Sequence, residues 1–283
     1  MQISQIIARL NPVYPEHRQA QQVAAWLLEK LLNLPGAQIL TKQELLFSEQ
    51  QAKILEEWLD QIINQHKPLA YILGNVPFLN LDILVEPPIL IPRLETEWWI
   101  DVLIKRFNSL KDVDLKILDL CAGSGCIGLA LAKYFPKSHV TLVDIAQPAC
   151  DLVAKNMVHN KIENATVLQS DLYHELVDQK FDLIVANPPY IPAHSYANLD
   201  LSVRLWEDRR ALVAPESDLQ IIAKIIALAP HYLQKKYANL PQLWLEIDAT
   251  QGKPVSDLMC VSFEQIELIV DQFDRQRVVV GKI

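Results

Sequence analysis

The sequence is short of the features that mark several common classes of protein. Four of its 283 residues are cysteine and no two of them are spaced as Cys-x-x-Cys, so neither a disulfide framework nor a cysteine-rich zinc site is indicated. The seven histidines are scattered, and we expect no bound metal. With seven glycines and 17 prolines, the chain also lacks the composition of a disordered protein.

Two further absences bear on where the chain acts. No uncharged apolar run approaches the roughly 18 residues of a membrane-spanning helix, and the first residues lack a signal-peptide pattern, so we expect a soluble, cytoplasmic protein without a membrane partner. A basic excess is missing too, since 26 Lys and Arg stand against 34 Asp and Glu, a net charge of −8. This charge disfavours a direct nucleic-acid substrate. A monomer is the default expectation.

The chain does contain apolar periodicity of two kinds. Apolar residues recur at helical spacing over Arg18 to Leu32 and Glu49 to Ile63, which predicts a small all-α bundle within about the first 67 residues. Residues Val76 to Ile91 favour a β-hairpin linker. At 283 residues, one large domain with a smaller companion is expected.

The remainder of the chain alternates strands with helices. This order predicts an α/β fold with a mostly parallel sheet, covered by helices on both faces and ending in an antiparallel edge. The strands are predicted at Lys116 to Leu120, His139 to Asp144, Ala165 to Leu168, Phe181 to Ala186, Leu243 to Ile247 and near Ile266 and Val278, and the helices at Cys126 to Phe135, Pro148 to His159, Asp218 to Leu233 and near Val255.

The first of these strands runs into a loop of small residues, Asp119-Leu120-Cys121-Ala122-Gly123-Ser124-Gly125. At the carboxyl ends of parallel strands, such loops let the backbone approach a nucleotide closely. Cys121 takes the place of the first glycine of a dinucleotide fingerprint, which therefore fails. Asp144 ends the next strand, where a carboxylate can accept hydrogen bonds from both ribose hydroxyls. Together, the loop and Asp144 favour the binding of a nucleoside-containing cofactor. The alternative is an ordinary tight turn with an Asp that caps a helix. Asp119 in turn could serve only to fix the loop by accepting backbone N–H groups.

The fourth predicted strand ends in Asn187-Pro188-Pro189-Tyr190, a segment called the clamp below. Two successive prolines fix the backbone and withhold two donors, so the Pro188 carbonyl points in a set direction. That carbonyl and the Asn187 side-chain oxygen can each accept one proton of a planar NH2 group, while Tyr190 stacks on the flat group. The nitrogen lone pair then faces a methyl donor, which predicts methylation of a planar amide or amino nitrogen. A plain turn after a strand is the alternative.

At these residues the chain resembles the class I S-adenosylmethionine-dependent methyltransferases with an Asn-Pro-Pro-Tyr motif. Lys67 to Gly74, followed by Phe78, and Leu90 to Glu97 extend the resemblance to the release factor glutamine methyltransferases, the HemK or PrmC family. The resemblance implies a Rossmann-like seven-stranded α/β fold with an antiparallel C-terminal edge, preceded by a small all-α domain. It implies a helical substrate-docking domain over residues 1–70, a β-hairpin linker over 71–94 and a methyltransferase domain over 95–283.

The resemblance also implies a role for each site residue. S-adenosylmethionine would bind Asp119, Cys121, Ala122, Gly123, Ser124, Gly125, Asp144 (ribose), Leu172 (adenine) and Asn187. Asn187, Pro188, Pro189 and Tyr190 would bind the glutamine of a Gly-Gly-Gln motif in a peptide chain release factor, with Asn187, Pro188 and Tyr190 as the catalytic residues. The products would be N5-methylglutamine and S-adenosylhomocysteine.

Several residues depart from the family pattern. Cys121 replaces a usual Gly, Leu94 a usual Pro, Leu172 a frequent aromatic residue, Asp208 the Pro of Glu-Pro-x-x-Ala-Leu, and Asp218 the glycine of Asp-Gly-Leu. Next to Asp208, Glu207 either orients the long segment after the clamp or is a solvated charge.

Three rival functions remain open from the sequence. The first is glutamine methylation of a large-subunit ribosomal protein, and the second is adenine-N6 methylation of DNA or RNA by the same kind of clamp. The third is a scaffold that binds the cofactor without transferring a methyl group.

Overall fold

The computed structural model describes residues 2–40, 45–214, 217, 219–234, 236–237 and 240–283, with the side chains of 37 and 40 left aside. They form two compact units, Met1–Asn75 with Asp200–Trp206, and Val76–Leu199 with Glu207–Ile283. Across the described ranges, no helix has the length and apolar character needed to cross a membrane.

The secondary structure of the described residues follows the predicted order of elements. The helices are α1 (Ile3–Leu10), α2 (His17–Leu32), α3 (Gly36–Leu40), α4 (Glu49–Ile63), α5 (Leu69–Leu73), α6 (Leu94–Arg106), α7 (Cys126–Tyr134), α8 (Gln147–Asn160), α9 (Leu201–Trp206), α10 (Arg209–Leu212), α11 (Gln220–Tyr232) and α12 (Gly252–Met259), with 3₁₀ turns at Asn108–Leu110 and Tyr196–Asn198. The strands are β1 (Asn75–Phe78), β2 (Leu81–Leu84), β3 (Lys116–Leu120), β4 (His139–Asp144), β5 (Ala165–Gln169), β6 (Leu183–Ala186), β7 (Leu243–Glu246), β8 (Gln265–Val270) and β9 (Gln276–Lys282).

The first unit is a helical bundle. Its core consists of apolar side chains on one face of each long helix, among them Ile6, Leu10, Leu27, Leu55 and Leu59, which are fully buried. The helix ends are set by local signals: Ser48 caps α4 by accepting the Gln51 backbone N–H, and Asn33 ends α2 in the left-handed conformation. The two helices predicted from periodicity in this region are confirmed, each to within a residue.

The second unit is built on a seven-stranded sheet of order β5-β4-β3-β6-β7-β9-β8. Strands β3 to β7 are parallel, whereas β9 runs antiparallel to both β7 and β8. This confirms the predicted fold class, including the antiparallel C-terminal edge. Strands β1 and β2 form a separate two-stranded sheet.

The register of the parallel strands determines which loops meet. Leu120 lies opposite Val143 on one side and Ala186 on the other, and Ala186 lies opposite Leu245. Asp144 is paired with Gln169. Residues that follow these positions therefore emerge at one edge of the sheet, where ligands of open α/β sheets bind.

Two predicted elements start two residues later in the structure than the sequence predicts. The fourth strand begins at Leu183 rather than at Phe181, because Phe181 forms an isolated bridge with Leu233 and the Asp182 carboxylate accepts the Lys116 backbone N–H. The helix predicted from Asp218 begins at Gln220, and Asp218 itself lies outside the described residues.

Helix α6 is not among the predicted helices, although its sequence carries the signal. Its buried side chains recur at i, i+3, i+4, i+7 and i+8, and they are Thr96, Trp99, Ile100, Leu103 and Ile104. Acidic residues occupy its first turn and basic residues its last, which suits the helix dipole. Leu94 is the first helical residue, and its side chain is 79% exposed.

We expect Leu94→Pro to stabilise the protein. Proline at the first helical position already has the helical φ and removes an N–H that lacks an intrahelical acceptor, so it restricts mainly the unfolded chain. The gain should be roughly 0.4–1 kcal/mol, or about 1–4 °C in Tm by calorimetry. Leu94→Ala serves as the control for loss of the side chain. A lower Tm in the proline variant would contradict the expectation.

Candidate active site

A cavity of about 530 Å³ opens at the carboxyl edge of the parallel strands. Its volume falls within the roughly 300–1,000 Å³ typical of small-molecule sites. Of the residues predicted for the site, those that line it are Cys121, Gly123, Asp144, Leu172, Asn187 and Pro189. The others do not line it: Asp119 lies in β3, and Ala122, Ser124, Gly125, Pro188 and Tyr190 lie in the same loops. The structure thus brings the three predicted motifs to one cavity.

The loop after β3 is held in a tight path by backbone contacts. Gly123 has φ +55° and donates its N–H to Asp144 Oδ2 at 2.8 Å, while the Ala122 N–H donates to the Val143 carbonyl at 3.0 Å. Gly125 has φ +82° and caps the start of α7. Left-handed backbone of this kind favours glycine, so both glycines are explained by the turn.

Cys121 adopts the left-handed conformation as well, with φ +60°. For a residue with a Cβ this conformation costs on the order of 1–2 kcal/mol, which explains why glycine is usual at this position in the family that the sequence resembles. Burial, together with the nearby acidic residues, raises the pKa of the Cys121 thiol well above its ordinary value. The side chain therefore acts as a small neutral part of the cavity wall.

Asp144 lies at the end of β4 and faces the cavity. Its Oδ2 accepts the Gly123 N–H and its Oδ1 accepts the Ala146 N–H at 2.9 Å. A carboxylate offers about four acceptor positions, so two remain for a ligand. Burial raises the pKa of Asp144, and the backbone donors act in the opposite direction.

Asp119 is fully buried behind the loop. Its Oδ2 accepts the Gly128 backbone N–H at 2.8 Å, and its Oδ1 has no hydrogen-bond partner among the described residues. Burial raises the pKa of Asp119 to about 8. The geometry favours the loop-fixing interpretation of this residue over direct contact with a ligand.

The raised pKa of the buried Asp119 carboxyl predicts that the stability of the protein depends on pH. The unfolded chain releases the Asp119 proton near the ordinary aspartate pKa of 3.8, whereas the folded chain keeps it up to about 8. Its stabilising contribution is therefore complete below about pH 4 and is lost as the pH rises toward 8, by about 1.4 kcal/mol per pH unit for one proton.

Asp119→Asn, which mimics the neutral acid, should remove that slope. Urea unfolding at pH 5, 6, 7 and 8 measures it: the free energy of unfolding of the wild type should decline relative to that of the variant as the pH rises. Parallel curves for the two proteins would contradict the assignment.

The clamp after β6 is held at both ends by one buried carboxyl. Asn187 Nδ2 donates to Thr96 Oγ1 at 3.3 Å, and Thr96 Oγ1 donates to Glu246 Oε2 at 2.7 Å. The same oxygen accepts the Trp99 indole N–H at 2.7 Å, and Glu246 Oε1 accepts the Tyr190 hydroxyl at 3.1 Å. Burial raises the pKa of Glu246, against the effect of these three donors. The clamp is therefore fixed by residues of α6 and β7.

The cavity rim is formed in part by the segment after the clamp. Arg93 Nη2 lies 2.6 Å from both carboxylate oxygens of Glu207, whose side chain is fully buried. The next residue, Asp208, donates its backbone N–H to the Pro88 carbonyl at 2.7 Å, and its Oδ1 accepts the Arg210 N–H at the start of α10. Glu207 thus orients the segment, and its interpretation as a solvated charge is wrong.

The cavity also contains residues that the sequence analysis did not single out. Ile145 and Asp171 line it because each directly follows or precedes a predicted site residue, so their positions could have been inferred from the strand ends. Glu246, which holds the clamp from behind, could not, because no motif marks it. Thr96 lies within the segment Leu90 to Glu97, but its link to the clamp is not visible in the sequence. Among the residues that the structure describes, no three His, Cys, Asp or Glu side chains converge as a metal site requires.

Comparisons with known proteins agree with this architecture. The Methyltransferase small domain model matches residues 100–246, and the PrmC N-terminal domain model matches residues 3–74. The release factor glutamine methyltransferase of Thermodesulfovibrio yellowstonii is 31% identical over 264 residues, 93% of this chain and 91% of the relative. That of Streptococcus pneumoniae is 30% identical over 283 residues, 99% of this chain and 98% of the relative. A solved ribosomal protein L11 methylase from Lactobacillus delbrueckii subsp. bulgaricus shares the fold, with TM-score 0.51, 21% identity and coverage of 71% and 84%.

Proposed function

Since the chain belongs to the family of release factor glutamine methyltransferases, we propose that it methylates the glutamine of the Gly-Gly-Gln motif in peptide chain release factors. S-adenosylmethionine is the methyl donor, and the side-chain amide nitrogen becomes N5-methylated. The observation that carries the proposal is the position of Asn187, which lines the same cavity as Asp144 and the loop after β3.

The cavity fits S-adenosylmethionine by the character of its walls. Within the described part of the chain, no heavy atom outside residues 122–124 lies within 4 Å of the position that a Cβ on Gly123 would occupy, so the loop backbone is open to a ligand. Asp144 keeps two acceptor positions, which suit the two hydroxyls of a ribose. Ile145, Ala149 and Leu172 supply apolar surface for a flat adenine.

The residues of the clamp perform the positioning on which the transfer depends. S-adenosylmethionine, when bound, would supply an electrophilic methyl group: the amide nitrogen would form the new C–N bond as the C–S bond breaks, S-adenosylhomocysteine would leave, and one amide proton would pass to solvent. Asn187 Oδ1 and the Pro188 carbonyl each accept one N–H of the glutamine amide, which orients the nitrogen toward the donor. Because these acceptors also stabilise the nitrogen as it becomes more acidic during the transfer, no strong base is needed in advance. Tyr190, held by Glu246, keeps the flat amide from slipping.

The rest of the chain takes its proposed roles from this activity. Residues 1–70 serve as a docking domain for the release factor, residues 71–94 as a linker, and residues 95–283 as the methyltransferase domain. The protein acts in the cytoplasm as a monomer, and nucleic acid is not its substrate. The net charge of −8 supports the last point.

Transfer of a labelled methyl group tests the proposal directly. The protein is incubated with labelled S-adenosylmethionine and, separately, a purified release factor, the same factor with its motif glutamine changed to alanine, large-subunit ribosomal proteins, and DNA. We expect label on the release factor only, lost with the altered motif. Label on a ribosomal protein or on adenine, or none at all, would replace the proposal with the corresponding rival.

A further inference from the structure

The side-chain amide of Asn187 can face the cavity with either its oxygen or its NH2 group, and only one of these suits a glutamine amide. A glutamine NH2 needs acceptors, so Oδ1 must face it. The two orientations have nearly the same shape, so the surrounding hydrogen bonds have to decide between them. The hydrogen bonds around Asn187 do so.

A chain of hydrogen bonds runs from Trp99 through Glu246 and Thr96 to Asn187, and it begins at a group that can only donate. The Trp99 indole N–H has no acceptor function, and it donates to Glu246 Oε2, 2.7 Å away. In its ionised form Glu246 has only acceptors, so its Oε2 has no proton to give to Thr96 and its Oε1 accepts from Tyr190. Trp99 and Glu246 are both buried, so no water competes for these positions.

The proton-free oxygen sets the direction of the next two bonds. Thr96 Oγ1 lies 2.7 Å from Glu246 Oε2 and must give its only proton to it. The Thr96 oxygen therefore faces Asn187, at 3.3 Å, as an acceptor. Only the NH2 group of Asn187 can fill that position, so its Oδ1 is turned away from Thr96.

We propose that Trp99, Glu246 and Thr96 are positioning residues that fix the direction of the Asn187 amide and so make the site select an NH2 group over a carboxylate. The inference rests on the proposed function. A glutamate in place of the glutamine would meet two acceptor oxygens, from Asn187 and Pro188, and be repelled. If the Asn187 amide could turn, its NH2 group would instead bind the carboxylate.

Thr96→Val tests the inference, because valine keeps the shape and removes the hydroxyl. We expect kcat to fall about tenfold, the scale of one lost hydrogen bond, with cofactor Kd changed by less than about twofold. A release factor that carries Glu in place of the motif Gln should inhibit the Thr96→Val enzyme about fivefold more strongly than it inhibits the wild-type enzyme. Thr96→Ser, which keeps the hydroxyl, should show the wild-type kcat and the wild-type inhibition by the Glu-containing release factor.

Thr141→Val is the matched control, since Thr141 is also buried but lies in β4. It should leave kcat and the Gln-to-Glu preference at wild-type values. If Thr96→Val does the same, or if Thr96→Ser is as impaired as Thr96→Val, the inference is overturned and Thr96 is merely structural.

A measurement without turnover separates this inference from the proposed function. In the 15N-labelled protein, the side-chain NH2 signal of Asn187, assigned by its loss in Asn187→Ala, should exchange slowly in wild type and faster in Thr96→Val. Equal exchange rates would reject the positioning role even if the release factor proved not to be the substrate. An inactive wild type with the expected exchange difference would reject only the proposed function.

Discussion

Asn187→Ala is expected to lower kcat by about 10²- to 10³-fold while cofactor binding stays close to that of the wild type. The variant removes one of the two acceptors that hold the reacting NH2 group, and loss of a single preorganised hydrogen-bonding group at a reacting centre has an effect of this size. Single-turnover methylation of the release factor measures the chemical step, and titration calorimetry measures the cofactor Kd.

The size of the effect depends on the rigidity of the clamp. Asn187 is held by Thr96, and Pro188 is buried after a strand that is paired on both sides, so a neighbouring side chain is not free to take over the lost acceptor position. Asn198→Ala, at an exposed position in the following segment, is the matched control and should retain full activity. Turnover near the wild-type rate in Asn187→Ala would refute the clamp mechanism.

Asp144→Ala is expected to raise the cofactor Kd by about 10²-fold or more. Hydrogen bonds to a charged group contribute about 1.5–3 kcal/mol each, and the ribose would lose two of them. The variant also leaves the Gly123 and Ala146 N–H groups without their acceptor, which loosens the loop that forms one cavity wall. Both effects act on binding rather than on the chemical step.

The design of this experiment has to separate the ligand contact from the loop. Asp144→Asn keeps one acceptor oxygen for the loop and removes the charge, so it should show an intermediate Kd. Asp151→Ala, in α8 with its side chain accepting a hydrogen bond from Gln147, should bind the cofactor as the wild type does. If saturating cofactor does not restore kcat in Asp144→Ala, the residue has a further role in the reaction itself.

The sequence was sufficient for the fold and for the motifs at the strand ends. Buried parallel strands appear in the sequence as short apolar runs. Because the carboxyl ends of parallel strands meet at one edge of the sheet, the loop that begins at Asp119, the carboxylate of Asp144 and the clamp that begins at Asn187 could be placed together. Those predictions depend on local patterns and one general rule of sheet architecture.

What the sequence did not reveal are pairs that are distant along the chain. Glu246 holds Thr96, 150 residues earlier, and Glu207 pairs with Arg93, 114 residues earlier. A lone glutamate in an apolar strand has the same sequence signature whether it is an edge residue or a buried acceptor. Only strand register decides, and Glu246 is buried because Leu245 lies opposite Ala186, next to the clamp.

The backbone bond from Asp208 to Pro88 gives the departure at position 208 a structural consequence. A proline there, as in the family signature, has no N–H and could not make this bond, whereas Asp208 makes it and also caps α10. A proline at position 208 of this chain would therefore remove two ties of the cavity rim, the backbone bond to Pro88 and the side-chain cap on α10.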